Sequence, residues 1–137
     1  MQDCKLISID LAKNVFQVCI LNSEGSVTLN KRFKRQKFIE LIASYKPTTI
    51  AMESCYSANY FGRLFESYGH TVKLIPAQHA KAFVRGNKND ANDALAIAEA
   101  SQRPNLRYVK IKTIEQQDIQ SIHRIRDHRV TQRTALN

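Results

Sequence analysis

Cys4-Lys5-Leu6-Ile7-Ser8-Ile9-Asp10-Leu11 is the stretch on which the fold turns. It is short, apolar on both faces and closed by an acid, the pattern of a central strand covered on both sides. Val15-Phe16-Gln17-Val18-Cys19-Ile20-Leu21 follows after a few residues as a second strand. Asn22-Ser23-Glu24-Gly25 is a turn, and beyond it Val27, Leu29 and Phe33 alternate with Thr28, Asn30 and Arg32 in a third. Three strands joined by short connections make an antiparallel meander, and the lysines of the third suit a sheet edge.

The period then changes. Phe38, Ile39, Leu41, Ile42 and Tyr45 follow helical spacing until Pro47. Thr48 to Glu53 reads as a fourth strand with an acid at its carboxyl end. Tyr60, Phe61, Leu64, Phe65 and Tyr68 form a helical stripe, read as core, that Gly69 closes. Thr71 to Ile75 is a fifth strand stopped by Pro76, and a right-handed crossover makes it a parallel neighbour of the fourth. His79 to Arg85 is expected to be a short helix or ordered loop. Leu106 to Lys112 reads as extended and basic, and Ile114 to Asn137 as helical. In that last helix Ile114, Ile119, Ile122, Ile125, Val130 and Leu136 share a broad arc, with Arg126, Arg129 and Arg133 interleaved. Such an arc predicts that the chain continues into a longer protein or packs against another copy.

Gly86-Asn87-Lys88-Asn89-Asp90-Ala91-Asn92-Asp93 carries the chemistry, because it opens an alanine-rich helix with two acids three residues apart. Residues i and i+3 share a helix face, so Asp90 and Asp93 project together. Acids in a first turn also suit the helix dipole. What favours a site is that Asp10 and Glu53 end two strands, where reactive groups of open α/β sheets collect. If those strands are parallel neighbours, four carboxylates converge, and divalent cations offset their repulsion. Oxygen ligands without His or Cys favour Mg²⁺ or Mn²⁺, and two such ions suit cleavage of a phosphodiester.

Bulk properties agree. The 137 residues are 43% hydrophobic and carry 21 basic against 12 acidic residues, a net charge of +9. A basic body is what counter-ion release from nucleic acid rewards. Lys31-Arg32-Phe33-Lys34-Arg35-Gln36-Lys37 holds five basic residues in seven. With Arg85 and Lys88 beside the acidic helix, Lys31, Arg32, Lys34, Arg35 and Lys37 are the expected nucleic-acid contacts. Arg103, Arg107, Lys110 and Lys112 make a looser second group. No apolar run approaches a membrane span and no signal peptide opens the chain, which predicts a cytoplasmic protein without a membrane partner. Cys4, Cys19 and Cys55 lack metal-ligand spacing and read as buried thiols.

Ile9-Asp10-Leu11-Ala12-Lys13-Asn14-Val15-Phe16, Met52-Glu53-Ser54-Cys55, Leu74-Ile75-Pro76, Asn87 to Ala94, Gln102-Arg103-Pro104 and Glu115-Gln116-Gln117 together resemble the DEDD-type insertion-sequence transposases, relatives of the Piv DNA invertase. The resemblance spans essentially the whole chain, with departures at Tyr56 and Asn59. It implies a ribonuclease H-like (RuvC-like) α/β fold, a mixed five-stranded sheet with flanking helices, followed by a C-terminal helix that begins a coiled coil. Residues 1–112 would form the catalytic domain and 113–137 the start of a coiled-coil linker or dimerisation segment. Asp10, Glu53, Asp90 and Asp93 would be the catalytic tetrad and the ligands of Mg²⁺ (or Mn²⁺). The partners implied are DNA, a guide RNA encoded by the element, and a second copy in a homo-oligomer. Strand exchange in the family also involves a serine in a second domain, which is not among these residues. A RuvC-like junction resolvase or nuclease, or a nucleic-acid-binding module without metal, are the competing readings. A sugar-kinase type of phosphate loop is disfavoured because no glycine follows Asp10.

Overall fold

A computed structural model of the chain describes residues 4–12, 14–83, 90–104, 106–120 and 122. Strands β1 (Leu6–Leu11), β2 (Val15–Leu21) and β3 (Val27–Lys34) are followed by helix α1 (Arg35–Ser44). Then come β4 (Thr49–Glu53), α2 (Tyr56–Ser67), β5 (Thr71–Ile75), α3 (Ala77–Lys81) and α4 (Asp90–Ser101). The strands form one mixed sheet in the order β3-β2-β1-β4-β5. The meander is antiparallel, whereas β1 pairs with β4, and β4 with β5, in parallel.

Alternation along the strands sorts the sheet into two faces. Ile7 and Ile9 of β1, Phe16, Val18 and Ile20 of β2, and Ile50 and Met52 of β4 point to one, where Phe38, Ile42, Phe61 and Phe65 of α1 and α2 cover them. Phe16 stacks on Phe38 with ring centroids 4.4 Å apart, and Phe61 and Phe65 meet Phe38 edge-on at 5.5 and 5.6 Å. The other face carries Leu6, Cys19, Leu21, Ala51 and Ile75 against Ala80 of α3 and Ala94, Ile97, Ala98 and Ala100 of α4. Small residues on both sides let α4 lie close to the sheet, since interaxial distance follows side-chain size.

The two sheet edges are finished differently. β3 is exposed and bears Lys31, Arg32 and Lys34, charges that discourage pairing with another chain. The β5 edge is met by residues 106–112, where Val109 N–H donates to the Leu74 carbonyl at 2.9 Å. α2 grips that segment. Asn59 Oδ1 accepts from Lys112 N–H at 2.7 Å, and the Arg63 guanidinium donates to the Lys112 carbonyl. Gly62 leaves room for Ile111, whose Cδ1 would stand 2.9 Å from any Cβ there. Thus Asn59 is a buried clamp, while Tyr56 is exposed.

Several expectations need correction. α1 begins at Arg35, so the basic run straddles a strand–helix junction. Tyr60, read as core, lies 47% exposed beneath the Arg35 guanidinium. Cys55 is exposed, not buried. Residues 114–120 are helical and begin with a reciprocal cap: Gln116 N–H donates to Thr113 Oγ1 at 3.1 Å, and Thr113 N–H to Gln116 Oε1 at 2.9 Å. Ile114, Ile119 and Ile122 are 65, 56 and 57% exposed, while Gln117 is buried with its amide on the Tyr56 carbonyl. The remainder of the expected helix, with Ile125, Val130, Leu136 and its arginines, lies outside the described residues.

Phe38 sits at the centre of the aromatic cluster and is fully buried. Phe38→Ala should therefore lower unfolding free energy by about 3–5 kcal/mol in a urea titration. A loss under about 1 kcal/mol would mean that the ring cluster does not hold the helices to the sheet.

Candidate functional site

The register of β1 on β4 aligns Leu6 with Thr49, Ser8 with Ala51 and Ile9 with Met52. One step further along both strands stand Asp10 and Glu53. Registered residues of neighbouring strands share a face, and neighbouring strands lie about 4.8 Å apart. Asp10 and Glu53 therefore stand side by side at the carboxyl ends of adjacent strands, on the face covered by α4. Both are half-buried. At that spacing two ionised carboxylates repel by roughly 3–4 kcal/mol at an effective dielectric of 20, a cost that nearby positive charge offsets.

Three polar contacts bring the amino end of α4 to the same end of the sheet. The fully buried Ser8, two residues before Asp10 on the same face, donates its hydroxyl to the Ala94 carbonyl at 2.7 Å. Gln17, the register partner of Asp10 on β2, donates to Asn30 Oδ1 at 2.6 Å, and Asn30 Nδ2 donates to the Ala91 carbonyl at 3.3 Å. The helix is thus pinned at Ala91 over β2 and β3 and at Ala94 over β1. Asp90 is its first residue, and Asp93, half-buried, lies between the two pins. Among the described residues no three His, Cys, Asp or Glu side chains stand close enough to hold a metal ion; the Asp90 side chain lies outside that set. Below the acids, burial pushes the Cys19 thiol up, while its contact with Ser8 acts the other way.

The basic run divides between the two faces. Arg32 is the register partner of Gln17, so Glu53, Asp10, Gln17 and Arg32 form one row across four strands. Arg32 and Lys34 share the acidic face, whereas Lys31 falls on the opposite face, with its Nζ 5.8 Å from the Phe33 ring centroid. Arg35 lies 5.5 and 5.3 Å from the Tyr60 and Phe61 ring centroids, also on the opposite face. Lys37 pairs with Glu40 at 3.7 Å. Arg85 and Lys88 lie outside the described residues.

The strand order and flanking helices agree with a family match. A transposase model, that of the DEDD transposases of IS110 type, covers residues 7–137. The chain belongs to this family. Over 136 residues, 99% of its length, it is 46% identical to the transposase for insertion sequence element IS1111A of Coxiella burnetii, covering 37% of that protein. It is 41% identical over 133 residues to the transposase for IS1328 of Yersinia enterocolitica, 97% of this chain and 40% of the relative. The chain thus spans about two fifths of the length of these two transposases. Among the described residues no helix is long and apolar enough to cross a membrane.

What sequence reading missed are the residues that seat the acids: Ser8, Gln17 and Asn30. The signal was present, since Ser8 and Gln17 are polar residues at helix-facing positions of otherwise apolar strands. Asn30→Ala should raise amide hydrogen exchange in the first turn of α4 and leave β1 and β4 protected. Ser8→Ala should cost about 0.5–1.5 kcal/mol of stability. Unchanged exchange at α4 in both variants would show that the pins do not hold the helix.

Proposed function

We propose that the chain is the catalytic domain of a transposase or site-specific recombinase that cleaves and exchanges DNA strands at a divalent-metal site formed by Asp10, Glu53, Asp90 and Asp93. The adjacency of Asp10 and Glu53 on paired parallel strands, facing the helix that begins Asp90-Ala91-Asn92-Asp93, is the observation that carries it. The donor set fits the group: four carboxylates, with no imidazole or thiolate among the ligands, suit Mg²⁺ or Mn²⁺. Asp10 and Glu53 would supply the ligands fixed by the sheet, and Asp90 and Asp93 those brought by α4. Two such ions, when bound, stabilise charge on the attacking and leaving oxygens of a phosphodiester.

The protein's own contribution is placement. The strand ends hold two carboxylates at one level, and the pins from Ser8 and Asn30 keep the α4 terminus from drifting. Arg32, on the same row, and Lys34, at the same edge, offer positive charge to the phosphates of a strand laid along the acids, with Arg85 and Lys88 as further candidates. Residues 1–112 then make the catalytic domain. The helix capped by Thr113 begins a coiled-coil segment whose exposed isoleucines suit a second copy, so that two DNA ends are held together. A guide RNA encoded by the element is the further partner, consistent with a basic chain of net charge +9.

Titration with Mg²⁺ or Mn²⁺ should raise the melting temperature, by the equivalent of about 2.7 kcal/mol at a hundredfold excess over Kd. Asp10→Asn and Asp90→Asn should each abolish most of that rise. An equal rise in both variants would leave Asp90 and Asp93 as helix-start residues only. Replacing Arg32 and Lys34 together by Ser should weaken DNA binding uniformly across sequences and flatten its salt dependence by roughly 1.4–1.8 in log–log slope. An unchanged slope would make them ordinary edge charges. Sedimentation of Ile119→Asp with Ile122→Asp beside the wild type tests the paired helix, and identical monomers would exclude it.

A further inference from the structure

The acids occupy the carboxyl ends of the parallel strands. At the amino ends, on the same face, a cleft of about 420 Å³ opens between the last turn of α4 and residues 106–112. Three cations line it: Lys5 just before β1, Lys73 of β5 and Arg103 just after α4. No lining residue is acidic, and among the described residues none of the three makes an ion pair. Two of them are held by aromatic rings rather than by counter-charge. Lys73 Nζ lies 5.1 Å from the Tyr108 ring centroid, and the Arg103 guanidinium 4.8 Å from that of Phe83.

The plain structural explanation is that the cations complement the carboxyl end of α4. That end carries only about half an elementary charge, against three full charges here. Part of it is already met, since the Tyr108 hydroxyl donates to the Ser101 carbonyl at 3.0 Å. A concave site therefore keeps a surplus of positive charge, and low-dielectric walls focus such a field on an anion. Gln102 and Tyr108 add neutral polar groups to the walls. The positive path does not stop at the rim, because exposed Arg107 and Lys110 continue it along the neighbouring segment. An extended polyanion fits this line better than a compact one.

We propose that this cleft binds phosphates of a nucleic-acid backbone, as a contact separate from the acids, resting on the reading above that nucleic acid is the substrate. Four residue steps along β1 separate Leu6 from Asp10, about 13 Å at strand rise. In a duplex that is roughly four base steps at 3.4 Å each. The cleft thus seats the backbone several nucleotides from the point of cleavage, fixing register without reading sequence. It also gives a role to the Gln102-Arg103-Pro104 motif, which the acidic site leaves unused.

The test is fluorescence anisotropy of the full chain with a labelled duplex DNA, a single-stranded DNA and an RNA of the same sequence, across a salt series. Lys73→Gln with Arg103→Gln should weaken binding at least severalfold and lower the log–log salt slope by roughly 1.4–1.8 for at least one of the three ligands. The ligand affected identifies the source of the backbone. Lys5→Gln with Lys73→Gln, which leaves the Arg103–Phe83 stack intact, should do the same if the first pair unfolds. Lys73→Arg with Arg103→Lys should restore the slope. Wild-type binding with variants of unchanged slope and affinity overturns the cleft alone, whereas a wild type that binds none of the ligands overturns both readings. A melting-temperature rise with millimolar ATP that the double variant loses, with oligonucleotide slopes unchanged, assigns the cleft to free nucleotides and overturns it too.

Discussion

The parallel pairing of β1 with β4 is the constraint on which the rest of the structure depends. These strands are separated in sequence by the whole of β2, β3 and α1, so their register is set by burial rather than by a turn. Slipping it by one residue would exchange the faces of every side chain on β4. Ile50 and Met52 would leave the aromatic cluster, and Glu53 would leave the side of Asp10. The apolar core on one face thus holds two charged residues together on the other. Stability and chemistry share one register.

The two faces then divide the labour. The α1 and α2 face is packed with large rings and supplies most of the burial. The α4 face is packed with alanines and carries the polar contacts that matter for placement: Ser8 to Ala94, and Gln17 through Asn30 to Ala91. Helix α4 runs from the acidic end of the sheet to the basic cleft, and about 17 Å separates its two ends at helical rise. Its first residue belongs to the proposed metal site and its last turn to the proposed phosphate cleft. A nucleic acid that followed this helix would meet oxygen ligands at one end and cations at the other.

Much of this was legible in the sequence, for physical reasons that differ by element. The doubly apolar β1, the switch from period two to helical spacing at Phe38, and the breakers Pro47, Gly69 and Pro76 are local signals, and all five strands follow them. Gly69 does so through a φ of +94°, which few other residues adopt. The position of Asp10 and Glu53 at adjacent strand ends was legible because each acid closes an apolar run. Less accessible were properties decided by packing between distant segments. Tyr60 follows the same helical stripe as Phe61, and only the position of Arg35 shows that its ring faces outward. Likewise the basic run reads as one patch until strand alternation sends Lys31 to one face and Arg32 and Lys34 to the other, and α1 begins at Arg35. Cys55 lies in an ordinary-looking stretch, and its exposure follows from its place before the first turn of α2. The clamp of Asn59 on Lys112 joins residues 53 positions apart, with nothing local to announce it.

The central claim is that Asp10, Glu53 and the amino end of α4 make one divalent-metal site. Paramagnetic relaxation by Mn²⁺, followed amide by amide in the NMR spectrum of the labelled chain, tests it most directly. At substoichiometric Mn²⁺ the account predicts broadening strongest at Asp10, Glu53 and the first turn of α4 and weakest at the start of β3 near Val27 and in the last turn of α2. Broadening centred on another group of acids, such as Glu115 and Asp118 of the C-terminal helix, or none at any site, would contradict it.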